Sequence, residues 1–182
     1  MSEPLWRLSA CDLAEGIQTG AFSSREVVTS CLQRADETNG KVNALTEIRS
    51  EAALVAADAA DKAVARGETL GCLHGIPVTI KGNVDVAGWA TVNGSAALKE
   101  NIARETSPCV QNWLNAGAVI IGRTNTPEFS CRWETNNEVF GPTRNPWNPQ
   151  LTAGGSSGGA AASVAVGITP LAHGTDLGGS LR

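Results

Sequence analysis

The stretch LTAGGSSGGAAASVAVG, residues 151–167, sets Ser156 and Ser157 between paired glycines and follows them with small apolar residues. By composition alone this is a flexible linker. By geometry it is a tight turn presenting two hydroxyls in front of a helix, since glycine reaches positive-φ conformations and a helix start aims free N–H groups forward. The surroundings separate the two readings. Between Arg144 and Asp176 there is no Asp, Glu, Lys or Arg, yet the interval carries Val164, Val166, Ile168 and Leu171. A linker in water does not usually avoid charge so completely, so the interval is expected to be buried, with a helix over residues 159–166. Nine of the 20 glycines fall after Phe140, and the rest of the chain is read outward from this concentration.

Upstream, residues 74–81 (HGIPVTIK) alternate. Ile76, Val78 and Ile80 share one face, while Thr79 and Lys81 take the other. Ser107-Pro108 reads as a helix start, Gly117 as its end, and the apolar run 118–122 as a buried strand. Helix, tight glycine and apolar strand make α/β texture, which favours a parallel sheet. The first seventy residues read as mostly helical. Ser9-x-x-Asp12 and Ser23-x-x-Glu26 are capping boxes, with stops at Gly20 and at Asn39-Gly40. A short strand is expected within residues 42–48, then an Ala-rich helix over 49–66 ended by Gly67. Residues 168–173 read as a last strand.

The 182-residue length suits one core, and 42% hydrophobic with 18% charged residues is a globular composition. The net charge of -4 offers no electrostatic reason to expect nucleic acid or an anionic membrane. The opening MSEPLWRLSA lacks the pattern of a secretory leader, and no run of 18 apolar residues occurs. The five cysteines (Cys11, Cys31, Cys72, Cys109, Cys131) are scattered without metal-site spacing. They read as reduced thiols, and the expected location is the cytoplasm.

Three residues stand out chemically. Ser156 lies in the first glycine turn. Ser180 lies in the second, GTDLGGSLR (174–182), where small residues let backbone N–H groups converge as a tetrahedral oxyanion requires. Lys81 ends a strand. It is either solvated there or desolvated, and a desolvated amine is neutral enough to act as a base. Gly154-x-Ser156-x-Gly158 formally matches the nucleophile elbow of α/β-hydrolases, but that fold places an acid and then a histidine after the serine. Here only His173 follows, ahead of Asp176. His173 and His74 therefore read as structural, and a Ser-Lys arrangement fits better. A Walker phosphate loop is excluded because no Gly-Lys-Ser/Thr follows the glycines.

Five blocks in order, LHGIPVTIKGN, AGAVIIGRTNTPEF, FGPTRNPWNP, GGSSGGAAASVAVG and GTDLGGSLR, resemble the amidase signature family over about residues 71–182. The resemblance implies an α/β/α fold, a mixed central sheet flanked by helices. Residues 1–70 would form a helical N-terminal segment, and 71–182 the N-terminal part of the signature core of a single larger domain. It implies a Ser–Ser–Lys triad: Lys81 as base, Ser156 as the bridging serine preceded by a cis peptide, Ser180 as nucleophile, with Ser157 a structural neighbour. The backbone N–H groups of Leu177, Gly178, Gly179 and Ser180 would form the oxyanion hole. The implied reaction is hydrolysis of a small-molecule amide, with no metal or organic cofactor. Lys81-Gly82-Asn83 stands where many relatives have Lys-Asp-Asn. The completing partner would be a C-terminal part or a second copy in a homodimer. Three other readings remain: an incomplete piece that serves association, the amidase component of a tRNA-dependent amidotransferase, and an esterase with a Ser-His pair. Trp133, Phe140 and Trp147 are candidates to line an acyl pocket, or are ordinary packing.

Overall fold

The computed structural model describes residues 3–182. Two helices open it, α1 (Ala10–Thr19) and α2 (Ser24–Val42), and both expected capping boxes form. Ser9 and Ser23 accept from the N–H three residues on, while Asp12 and Glu26 reach back to the cap backbone, satisfying donors that a helix start leaves free. Gly20 ends α1 in the left-handed region. Helix α2 does not stop at Asn39-Gly40. It runs on until Asn43 adopts the left-handed cap, because Val42 is still wanted in the core at 6% exposure.

Strand β1 (Leu45–Ile48), helix α3 (Ser50–Ala65) and strand β2 (Pro77–Lys81) follow, then α4 (Pro108–Asn115), β3 (Val119–Thr124), α5 (Gly158–Ala165) and the two-residue β4 (Leu171–Ala172). The sheet order is β1-β3-β2-β4. β2 lies parallel to both β3 and β4, while β1 pairs antiparallel with β3. The sheet is therefore mixed rather than purely parallel, because the helical first seventy residues insert β1 at its edge. The expected strand over 168–173 contracts to Leu171–Ala172.

Ile76, Val78 and Ile80 pack with Leu13, Ile17 and Val110 in one apolar cluster. A second joins α2 and α3 to β1, β3 and α5 through Val28, Leu32, Ala57, Ile121, Ala162 and Ile168. Residues 1–70 and 71–182 thus share both clusters. The opposite face of β2 is buried too, but it is polar. Thr79 and Lys81 are each 0% exposed and look toward Thr169 and the turn before α5. All five cysteines are free, and burial pushes the Cys31 thiol up to about 12. Among the described residues no helix is long and apolar enough to cross a membrane.

Candidate active site

Strand alternation delivers Lys81. With Ile80 turned into the apolar cluster, its neighbour must face the other way, where α5 begins. The lysine Nζ lies 2.7 Å from Ser156 Oγ, 3.1 Å from Ser157 Oγ and 2.8 Å from Thr175 Oγ1. Among the described residues it has no carboxylate partner. Burial without a counter-charge disfavours the ammonium and pushes the Lys81 amine down to about 8 from its ordinary 10.5.

Three hydroxyl partners suit both protonation states. An ammonium donates three hydrogen bonds, whereas a neutral amine donates two and accepts one, so deprotonation leaves no partner stranded.

The first glycine turn is held by Thr135. Its hydroxyl donates to Gly154 O at 2.9 Å and accepts from the Gly158 N–H at 3.0 Å. The Gly155–Ser156 peptide is cis. Ser156 and Ser157 are 5% and 3% exposed at the start of α5. From the second glycine turn, Ser180 Oγ comes within 3.2 Å of Ser156 Oγ and accepts the Ser157 N–H at 2.8 Å. It also meets Ser157 Oγ. Lys81, Ser156 and Ser180 therefore form one connected chain, 75 and 24 residues apart in sequence.

The second turn is closed by Asp176, whose carboxylate accepts from Gly179 N–H at 2.7 Å, Leu181 N–H at 3.3 Å and the Arg182 guanidinium at 2.9 Å. The guanidinium and the two backbone donors hold that carboxyl well below the usual carboxylate range. The Gly179 N–H is already committed to Asp176, while among the described residues those of Leu177, Gly178 and Ser180 have no protein acceptor. Two open depressions, about 640 and 560 Å³, meet at Ser180, and Trp133 lines both. Phe140 lines a different cavity, and Trp147 stands 81% exposed away from both depressions.

Neither histidine touches the serines. The His74 ring meets Ala60 O at 2.9 Å. The half-buried His173 ring packs edge-on against Trp113, and partial burial with the positive Lys81 and Arg123 nearby lowers its pKa.

Two contributors, Thr175 and Thr135, escaped the reading of sequence, and Ser157 makes more contacts than that reading gave it. Thr175 accepts from Lys81, and its backbone brackets Ser157 Oγ through the carbonyl at 3.1 Å and the N–H at 3.3 Å. Thr135 pins the first turn. Ser157 contacts both Lys81 and Ser180. Thr175 had one available signal, its place in the second glycine block; Thr135 had none.

A family model described as Amidase matches residues 26–182. The chain is 51% identical over 179 residues to an indoleacetamide hydrolase of Bradyrhizobium diazoefficiens, covering 98% of this chain and 34% of that one. It is 41% identical over 171 residues to one of the subunits of the glutamyl-tRNA(Gln) amidotransferase of Chromohalobacter salexigens, covering 94% and 35%. The crystal structure of a bacterial aryl acylamidase of the amidase signature family superposes with a TM-score of 0.94 at 37% identity, over 99% of this chain and 38% of that one. The chain thus spans about a third of the length of the curated relatives it matches. With a family match running from Glu26 to the last residue and a fold shared at that level, this chain belongs to the amidase signature family.

Proposed function

We propose that this chain carries the acyl-transfer centre of an amide hydrolase acting on a small carboxylic amide, as the N-terminal part of a single larger domain. The observation that carries the reading is the fully buried Lys81 amine, 2.7 Å from Ser156 Oγ, which in turn lies 3.2 Å from Ser180 Oγ. Neutral Lys81 takes the Ser156 proton while Ser156 takes that of Ser180, and Ser180 Oγ attacks the amide carbonyl. The N–H groups of Leu177, Gly178 and Ser180 are the donors available to the oxyanion. As the tetrahedral intermediate collapses, the C–N bond breaks and the leaving amine takes a proton back through Ser156. Water then enters by the same relay, cleaves the Ser180 ester and releases the acid. Turnover of a slowly hydrolysed aryl amide, quenched and digested, is expected to leave the acyl mass on the peptide containing Ser180. An adduct on any other residue, or none under turnover, overturns the assignment.

The likeness to an amidotransferase component favours one second reading, in which the same centre serves a glutamyl-tRNA(Gln) amidotransferase. Activity that appears only when the other components of such a complex are added supports it, and turnover of simple amides without them overturns it.

Thr175 acts here as a positioning residue, through Lys81. The wild-type kcat/KM is expected to rise with pH through about 8 and then level, because only the neutral amine accepts a proton. Thr175→Val removes one acceptor of the ammonium and disfavours the cation further. Its acidic limb should move to lower pH, with kcat down roughly 10-fold and KM little changed. A pH–rate profile of the variant with an unmoved limb would deny Thr175 this role.

A further inference from the structure

Arg123 is out of place. It lies on β3, 1% exposed, and only one of its three guanidinium nitrogens has an acceptor: Nη2 donates to Val84 O at 2.6 Å. Nε and Nη1 are buried with no partner among the described residues, as is the hydroxyl of the next residue, Thr124. Both residues line a cavity of about 220 Å³. A buried cation with unsatisfied donors is among the costliest arrangements in a fold, and guanidinium is the group whose planar donors match a carboxylate. Burial pushes Arg123 down to about 10, so it is still charged at neutral pH.

The nearby acids do not fill the role. Glu47 lines the same cavity, but its Oε1 is taken by Arg49 Nε at 2.7 Å, and among the described residues Asp85 forms no ion pair with Arg123. The wall also carries apolar side chains, Val92 and Phe140, with exposed Lys99 beside the cavity. With Arg123, Lys99 and Glu47 the lining has a net charge of one positive. A ligand with one negative charge and a short apolar body fits such a wall better than a strongly hydrated inorganic anion. Gly82 also lines the cavity, just past the end of β2, with its N–H on Thr124 O at 2.9 Å.

We propose that the Arg123 cavity binds a short-chain monocarboxylate, with the carboxylate on the guanidinium and the alkyl group against Val92 and Phe140. It lies on residues distinct from Ser156 and Ser180, so the ligand is not the acyl product held at the serines.

The test is thermal unfolding of the full chain in acetate, propionate, chloride and phosphate at one ionic strength. Acetate and propionate should raise Tm saturably, by about 5 °C near saturation, while chloride and phosphate do not. Arg123→Met, of similar length and without charge, should lose that response. An equal shift with all four anions, or an undiminished carboxylate response in Arg123→Met, overturns the proposal. Crystals of the unmutated protein soaked in bromoacetate give a reading independent of the variant's folding. A bromine anomalous peak inside the cavity supports the site, and a peak only elsewhere, or none, overturns it.

Discussion

Ser180→Ala is expected to reduce amide hydrolysis by roughly 10³- to 10⁶-fold, and Lys81→Met by a similar factor, with the double variant no worse than either single one. Residues acting as one relay lose their function together, so non-additivity is itself the signature. Ser180→Ala should leave stability within about 0.5 kcal/mol, since the residue is only partly buried and its loss leaves an alternative partner for Ser157 in Thr175. Lys81→Met should do the opposite of what a lost network usually does. The folded lysine titrates near 8 and the unfolded one near 10.5. Between those values the unfolded chain binds more protons, so wild-type stability rises as pH climbs from 8 to 10.5. Below 8 the fold carries the full cost of the buried cation, roughly 3 kcal/mol before its hydrogen bonds are counted. Met carries none of it. Denaturant unfolding should therefore find Lys81→Met the more stable protein at pH 7, with the two curves converging by pH 10.5. Turnover by either single variant at the wild-type rate would remove the relay from the mechanism.

The sequence spoke most clearly where one local rule acts alone. Two serine–acid capping boxes, Gly20, Gly67 and the alternation of Ile76, Val78 and Ile80 each dictate a backbone state from a few adjacent residues, and each appears as read. Legibility fails where distant chain decides. Asn39-Gly40 looks like a helix end, but Val42 has a place in the core and the helix continues to it. The strand alternation placed Lys81 away from the apolar face, yet it could not say whether that face was wet. The answer came from residues 75 and 94 positions later, Ser156 and Thr175. Asp176 was legible as the nearest acid after His173, but its hold on the Gly179 N–H depends on the turn closing back on itself. Thr135 is another such case, an ordinary loop threonine until the turn at Gly154 lands on it. Motif order thus singled out three side chains that the fold brings into one hydrogen-bonded chain, whereas their second partners were invisible until the chain was folded.

Gly159→Ala should destabilise the fold by about 3 kcal/mol or more, whereas Gly40→Ala should stabilise it by about 0.5–1 kcal/mol. Both glycines lie in helices, α5 and α2, so intrinsic propensity favours alanine at both. The difference is what a methyl would meet. At Gly40 nothing lies within 4 Å, and the gain in helix propensity goes unopposed. At Gly159 a Cβ would stand 2.5 Å from both N and O of Asn125 and 2.8 Å from Ala44 O. Those are backbone atoms, and Asn125 N–H donates to Ala44 O at 2.8 Å just beyond the paired ends of β1 and β3. They cannot yield as a flexible side chain would, so α5 must lift from the sheet. Since Ser156 and Ser157 lead directly into α5, lifting it also separates Ser156 from Lys81, which is anchored in β2. Activity should fall with stability at Gly159 and stay unchanged at Gly40. Equal unfolding midpoints for the two variants in denaturant would mean that α5 does not rest on Asn125.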